Sequence, residues 1–146
     1  MFIVLDSGPL GLLSNPTLSQ PAKTAAEWAR SKLEAGHQLV VPEISDYEVR
    51  RELLRAATTN GLDRLDELCR GFRYHPLSTS TMRTAAALWA DARNRGAPAA
   101  HDLALDGDVI LAAQARDLAS SEAVIVATTN VKHLDRYVDA RVWIDV

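Results

Sequence analysis

The sequence predicts a doubly wound α/β domain with a parallel sheet, and three features of the chain support this prediction. Short apolar runs alternate with longer segments of helical periodicity, which is the pattern of a parallel sheet covered by helices. Residues 123–127 read Ala-Val-Ile-Val-Ala, a run typical of a strand buried on both faces. The 146 residues contain no repeat, linker or low-complexity tract, so we expect a single domain over residues 1–146.

Five strands are predicted from short runs of apolar and β-branched residues that end at turn-forming residues. In chain order they cover Phe2–Leu5, Gln38–Val41, Tyr74–Leu77, Ala123–Ala127 and Arg141–Ile144. Pro42 is expected to end the second strand, because proline has no N–H to donate to a neighbouring strand.

Helices are predicted where apolar residues recur at intervals of three and four. In chain order these segments are Pro9–Leu13 as a short helical turn, then Gln20–Ala35, Ile44–Ala57, Leu62–Phe72, Ser80–Arg95 and Leu103–Leu118. Gly36 is suited to close the helix before it, as a C′ glycine. Ser45 and Glu48 have the spacing of a capping box for the helix that begins near them. Asn15–Pro21 and Ala97–His101 are expected to be loops.

Composition limits the classes of function. The net charge is −3 and hydrophobic residues make up 47% of the chain, so the chain is neither disordered nor strongly basic. The single Cys69 excludes an internal disulfide and a cysteine-rich zinc site. The N-terminus lacks the basic and long apolar regions of a signal peptide, and no apolar run is long enough to cross a membrane. A cytoplasmic location is therefore expected.

The first candidate site residue is Asp6, which follows the first predicted strand and precedes Ser7-Gly8-Pro9. Open α/β sheets place ligand sites at such strand ends; the alternative interpretation is an N-cap. Further acidic clusters that can converge on Asp6 are Asp46 with Glu48, and Asp102, Asp106 and Asp108. Converging carboxylates repel one another and usually hold a hard cation such as Mg²⁺ or Mn²⁺. The sequence therefore predicts metal-assisted phosphodiester chemistry.

The other candidates lie on predicted helices and at a strand end. Glu48 is flanked by Tyr47 and Val49 and is a candidate for pointing inward, although its helix otherwise looks solvated. Asp108 opens an apolar helix that would aim it firmly, whereas Asp106 stays ambiguous, and both can simply favour the helix N-terminus. Thr128, Thr129 and Asn130 end the apolar strand and can orient a water or a phosphate, or simply form a turn.

Arginine is much commoner than lysine and clusters at Arg50, Arg51 and Arg55. The guanidinium fork suits phosphate, and the same cluster is equally typical of a solvated helix face. There is no glycine-rich nucleotide loop and no Gly-x-Ser-x-Gly motif, so neither a nucleotide cofactor nor a serine hydrolase is indicated.

Four segments, taken in order, resemble the PIN domain and more narrowly its VapC-type single-domain members. They are Leu5–Leu10, Pro42–Leu53, Asp106–Ala115 and Val126–Asn130. The resemblance spans nearly the whole chain and implies a three-layer α/β/α fold with a parallel sheet. It also implies a Mg²⁺- or Mn²⁺-dependent ribonuclease whose three acids are Asp6, Glu48 and Asp108. Thr128 and Thr129 match the family's threonine- and serine-rich strand end.

The resemblance further implies an RNA substrate, a small antitoxin partner and a homodimer, as in the toxin of a type II toxin–antitoxin pair. One departure concerns the fourth acid that many members carry after the last apolar strand, because Asn130 lies nearest to that place. Asp106 would compensate if it turned inward. The alternative interpretation is a weak or inactive nuclease that acts mainly by binding a protein or RNA partner.

Overall fold

Five strands form one all-parallel sheet within the part of the chain that the structure, a computed structural model, describes: residues 1–17, 19–96 and 102–146, with only the backbone at 102–104. The strands are β1 (Phe2–Leu5), β2 (Gln38–Pro42), β3 (Arg73–His75), β4 (Val124–Thr128) and β5 (Ala140–Val142). Their order in the sheet is β3-β2-β1-β4-β5. The chain therefore builds the sheet outward from β1 in one direction, and then returns to the other side of β1 with β4.

The return to β4 creates a switch point at the carboxyl ends of β1 and β4. These two strands pair in parallel register, with Phe2 opposite Val124 and Leu5 opposite Ala127. In open α/β sheets the connections diverge to opposite faces at such a point and leave a crevice beyond the strand ends. Residues that directly follow β1 and β4 are thereby brought together, although more than 120 positions separate them in the sequence.

Helices cover both faces of the sheet in the described residues. In chain order they are α1 (Ser7–Ser14), α2 (Gln20–Glu34), α3 (Glu43–Arg55), α4 (Thr59–Gly71), α5 (Thr79–Asn94), α6 (Asp102–Ala119) and α7 (Val131–Leu134), and a 3₁₀ turn covers Trp143–Asp145. None of the described helices combines the length and the apolar character needed to span a bilayer.

Alternation of side chains along β1 divides the core into two halves. Ile3 and Leu5 belong to a cluster with residues of α1 and α2, whereas Phe2 and Val4 pack with residues of α6 on the opposite face. Successive strand residues point to opposite faces, and a fully apolar strand therefore serves both halves. Helix α5 packs against α6 through small and apolar side chains. The predicted α/β class, with a parallel sheet between helical layers, is confirmed.

Several predicted boundaries move by a few residues, and two local predictions are wrong. The capping box at Ser45 is absent because β2 runs directly into α3, so Pro42 occupies the N-cap position. Ser45 lies inside the first turn, buried, and its hydroxyl has no hydrogen-bond partner among the described residues. The last strand ends at Val142, since Trp143 turns into the core as part of the 3₁₀ segment. The predicted loop Ala97–His101 lies outside the described residues.

Gln114 connects three elements through its fully buried amide. Its Oε1 accepts a hydrogen bond from the Ile44 backbone N at 3.2 Å, and its Nε2 donates to the His75 carbonyl oxygen at 2.6 Å. Helix α6 is thereby attached to the start of α3 and to the end of β3. These two hydrogen bonds fix the position of α6 along the strand direction of the sheet.

Gln114→Leu is expected to lower the free energy of unfolding by about 2–4 kcal/mol, because it leaves the buried Ile44 N–H and the partly buried His75 carbonyl without partners. Urea unfolding followed by circular dichroism measures the change. Gln20→Leu, at an exposed position on α2, is the matched control and should shift stability by less than about 0.5 kcal/mol. Equal effects of the two substitutions would contradict the assigned role of Gln114.

Candidate functional site

A cleft of about 730 Å³ lies at the switch point of the sheet. Its walls come from the residues after β1, from one side of α3, from α6 and from the segment after β4. The polar and charged side chains that line it are Asp6, Ser7, Ser14, Glu48, Arg51, Glu52, Asp108, Thr129, Asn130 and His133. Three of the predicted acids, Asp6, Glu48 and Asp108, therefore share one cleft although they belong to three separate segments.

Asp6 is held by hydrogen bonds to both carboxylate oxygens. It is the N-cap of α1, where Oδ1 accepts from the Ser7 backbone N at 2.7 Å. Its Oδ2 accepts from the Thr128 hydroxyl at 2.6 Å. The N-cap interpretation and the site interpretation of Asp6 are thus compatible, because the capping geometry also directs the carboxylate into the cleft. The remaining lone pairs of both oxygens can still accept or coordinate.

Glu48 is half-buried on α3, and burial raises its pKa above the ordinary value of 4.5. A hydrogen bond with the Ser7 side chain and the charge of Arg51 oppose the shift, whereas the charge of Asp6 adds to it. Gly107 on α6 lies against this carboxylate, since a Cβ atom at residue 107 would overlap Oε1 of Glu48. The absence of a side chain at residue 107 therefore allows Glu48 to reach the cleft.

Asp108 lies in the second turn of α6 and is about a fifth exposed. Burial raises its pKa to about 6, and the charges of Asp6 and Glu48 contribute to the increase. His133 of α7 opposes it, with Nδ1 at 3.3 Å from Oδ2 of Asp108. The pKa values of Glu48 and Asp108 are raised for the same two reasons. The cleft is partly dehydrated, and neighbouring carboxylates add negative charge to it.

A hard divalent cation fits this donor set in its chemistry. Carboxylate oxygens from three elements face one cleft, and the charge of Asp6 contributes to the raised pKa of both Glu48 and Asp108. A cation would relieve this repulsion. In the described residues no group of three or more acidic, histidine or cysteine side chains already stands at the spacing of a metal coordination shell. Mg²⁺ usually takes only one or two protein carboxylates and keeps several waters, which matches a cleft of this kind.

The three residues after the apolar strand occupy different positions. Thr128 is fully buried and positions Asp6 through its hydroxyl, which also accepts a hydrogen bond from the Asn130 backbone N at 2.9 Å. Thr129 lines the cleft with its side chain against Gly8, where a Cβ atom would come within 2.7 Å of the hydroxyl. Asn130 also lines the cleft. Thr128 is thus a buried support for Asp6, whereas Thr129 and Asn130 line the cleft.

The structure does not bring Asp106 to the cleft. It is exposed and lines a separate apolar groove between α5 and α6, beside Met82 and Trp89. Residues two apart on an α-helix differ in direction by roughly 200°, so Asp106 and Asp108 cannot both face the same site. The expected compensation for Asn130 by Asp106 is therefore absent. Asp102 begins α6, and its side chain lies outside the described part of the structure.

The three arginines of α3 also differ in placement. Arg50 is held by Asp46 and Asp66, and Arg55 pairs with Glu52 on the exposed side of the helix. Arg51 lines the cleft. Sequence reasoning left this side of the helix unresolved, because a run of charged residues shows no apolar period from which to read orientation.

Three residues of the site were missed from the sequence. Ser7 directly follows Asp6, and its capacity to bond both Asp6 and Glu48 follows only from the position of α3. Gly107 has the appearance of a weak point in a helix and is explained only by its contact with Glu48. His133 lies on α7, a four-residue helix too short to produce a periodic signal.

Gly107→Ala is expected to separate stability from function. Alanine favours helix by up to about 1 kcal/mol over glycine, and the overlapping group is the end of a side chain that can move, so Tm should stay equal or rise. If Glu48 holds a metal as the resemblance implies, its displacement should lower the affinity for Mn²⁺ by about 10-fold or more, as for other changes around metal ligands. Gly71→Ala is the matched control, since nothing lies within 4 Å of its added Cβ. Unchanged function in Gly107→Ala would contradict the role of Glu48.

Comparisons with known proteins show the fold. No protein-family model and no curated protein matches the chain. VapBC2 from Rickettsia felis, solved bound to a DNA fragment from its promoter, aligns with a TM-score of 0.68 and 13% identity over 97% of this chain and 98% of that one. FitAcB from Neisseria gonorrhoeae gives 0.65 and 18% over 96% of each chain. VapBC-1 from nontypeable Haemophilus influenzae gives 0.68 and 19% over 98% of each.

Proposed function

We propose that this protein is a metal-dependent ribonuclease that hydrolyses RNA phosphodiester bonds in the cleft, and that it acts as the toxin of a toxin–antitoxin pair. The observation that carries the proposal is the convergence of Asp6, Glu48 and Asp108 on one cleft at the switch point of the sheet. The raised pKa values of Glu48 and Asp108 support it, because perturbed pKa values of carboxylates in a cleft cluster at functional sites.

Asp6, Glu48 and Asp108 would hold Mg²⁺ or Mn²⁺, directly or through water. When bound, such a cation lowers the pKa of a water and offsets negative charge on the phosphate oxygens. Other residues of the cleft would position these carboxylates and the substrate. Thr128 and the Ser7 backbone fix the direction of Asp6, and His133 restrains Asp108. Thr129 and Asn130, which line the same cleft, would orient the phosphate or the attacking water.

The partner is proposed from the fold. The chain shares its fold with structures of VapBC and FitAcB over almost its whole length. The resemblance of its motifs to VapC-type proteins supports the same role, that of the toxin in a toxin–antitoxin pair. We therefore propose a small antitoxin as partner and a homodimer as the working form. Co-expression with the product of any short open reading frame beside the gene, followed by size-exclusion chromatography, tests both.

A second candidate function is a binding module with weak or no catalysis. Two observations favour it. Asn130 lies nearest to the place where the resemblance to PIN domains implies a fourth acid, and within the described residues no three acidic, histidine or cysteine side chains lie close enough together to form a metal coordination shell. Such a module would use the same cleft to hold RNA or a protein segment. It differs from the proposed enzyme in one measurable property, namely that divalent ions would leave the RNA intact.

Cleavage of a labelled mixed-sequence RNA by the purified protein tests the proposed function. We expect cleavage with Mn²⁺ or Mg²⁺ that stops on addition of EDTA and returns when the metal is restored. A preparation of Asp6→Asn/Asp108→Asn, purified side by side, controls for contaminating nucleases. Cleavage that persists in EDTA, or equally in the variant, would contradict the proposal. RNA binding without cleavage would favour the binding module.

A further inference from the structure

We propose that Tyr47 and Arg51 form a subsite at the rim of the cleft that binds a nucleobase and its phosphate, and that this subsite selects single-stranded over double-stranded RNA. The inference rests on the proposed function, because it assigns a substrate class to the same cleft. The two residues are four positions apart on α3, so they are neighbours on one side of the helix.

Arg51 carries a charge that no ion pair satisfies within the described residues. The other two arginines of α3 are engaged: Nη2 of Arg50 lies 2.8 Å from Asp66, and Nη2 of Arg55 lies 2.8 Å from Glu52. Arg51 instead lines the cleft, where its charge opposes the burial-driven rise in the pKa of Glu48. A guanidinium with uncommitted donors is suited to a phosphate, which it can bind through two parallel hydrogen bonds.

Tyr47 supplies an aromatic face beside this guanidinium. The Cζ atom of Arg51 lies 5.2 Å from the centre of the Tyr47 ring, a cation–π distance. Tyr47 is 57% exposed, so surface remains on it for a second planar group. By contrast, Trp28 and Trp143 are buried against each other in the core. An exposed aromatic ring next to a phosphate-binding group is the arrangement that proteins use to stack an unpaired base.

The surroundings favour nucleic acid over a protein partner. The residues that flank Tyr47 and Arg51 along the chain are charged, and on the same side of α3 the exposed apolar residue Leu54 lies three positions after Arg51. Charged residues therefore outnumber apolar ones around the pair, whereas a protein-docking centre is depleted in charge. The net charge of −3 and the acidic cleft give RNA no general attraction. A substrate therefore needs local contacts at the rim. Only an unstacked base can lie on the Tyr47 ring, which excludes the interior of a duplex.

Fluorescence anisotropy with labelled ten-nucleotide oligouridylate and oligoadenylate, and with an RNA duplex of equal length, tests the subsite. The measurements use the Asp6→Asn/Asp108→Asn protein in EDTA, so that no cleavage occurs. Tyr47→Ala should weaken single-strand binding by about 10-fold, while Tyr47→Phe retains it. Arg51→Gln should lower the slope of log affinity against log salt by about 0.7, the value for one phosphate contact on a single strand. Arg55→Gln, on the same helix, is the matched control and should change nothing.

The outcomes separate this inference from the proposed function. Single-strand binding that depends on Tyr47 and Arg51, without cleavage by the wild type in Mn²⁺, sustains the subsite and removes the catalysis. Cleavage by the wild type with KM unchanged in Tyr47→Ala and Arg51→Gln sustains the catalysis and overturns the subsite. Absence of RNA binding, or equal binding of duplex, also overturns it. A change of oligomeric mass in Tyr47→Ala with unchanged RNA binding would assign this surface to a protein contact instead.

Discussion

The Asp6→Asn/Asp108→Asn protein is expected to cleave RNA at least about 100- to 1,000-fold more slowly than the wild type in saturating Mn²⁺. In metal-assisted phosphodiester hydrolysis, the metal ion stabilises the transition state by several kcal/mol. Each 1.36 kcal/mol of stabilisation is a factor of ten in rate. The substitution keeps the shape of both side chains and removes two charges from the cleft. Initial rates of cleavage of a fluorescent RNA measure the effect.

The matched control for this double substitution is Asp63→Asn/Asp91→Asn, because both residues are exposed and neither lines the cleft. It makes the same change in net charge outside the site. Among the described residues, the ion pair that Asp91 loses is an exposed one with Arg95, and pairs of that kind contribute little to stability. Equal losses of activity in the two double variants would show that general charge, rather than the cleft, governs cleavage.

Asp108→Asn alone is expected to stabilise the metal-free protein at pH 8 and to have little effect at pH 4. The pKa of Asp108 is raised to about 6 in the folded state from an ordinary value of 3.8. Between these two values the folded state binds more protons than the unfolded state, so stability falls as pH rises through that window. Below pH 3.8 the penalty is absent, and above pH 6 it is complete. Asparagine carries no charge and avoids it.

The expected gain at pH 8 is on the order of 2 kcal/mol, seen as a Tm several degrees higher in EDTA. Asp63→Asn, at an exposed position, serves as the control and should give the same small difference at both pH values. Saturating Mn²⁺ should reduce this difference in Tm at pH 8. The wild type retains all three carboxylates, so the metal should bind and stabilise it more than it stabilises the variant. A gap that is independent of pH, or a wild type more stable at pH 8, would contradict the electrostatic description of the cleft.

The sheet could be predicted from the sequence because its central strands are continuous apolar runs. β1 and β4 carry Phe2–Leu5 and Val124–Thr128, and a strand buried on both faces leaves little alternative. Helix starts were harder to locate. The spacing of Ser45 and Glu48 indicates a capping box, yet Pro42 joins strand and helix without a loop. A capping pattern in the sequence does not show whether a helix follows a strand without a loop.

The positions of the candidate site residues could be predicted in part, for a similar reason. Asp6 follows a buried strand, so its position was determined as soon as the strand was recognised. The phase of a helix is less certain, and it distinguishes Asp108, which faces the cleft, from Asp106, which faces the groove between α5 and α6. The contacts of Glu48 with Gly107 and of Asp108 with His133 arise from tertiary packing. Neither contact can be predicted from the spacing of residues along the chain.

Calorimetric titration of Mn²⁺ into the metal-free wild type and into Asp6→Asn/Asp108→Asn tests the central claim most directly, because it requires neither the correct RNA nor a partner. The structure leads us to expect saturable binding to the wild type that disappears in the double variant, with both proteins folded by circular dichroism. Equal binding by both proteins, or no binding to the folded wild type at millimolar Mn²⁺, would contradict the assignment of Asp6, Glu48 and Asp108 as the metal-holding groups.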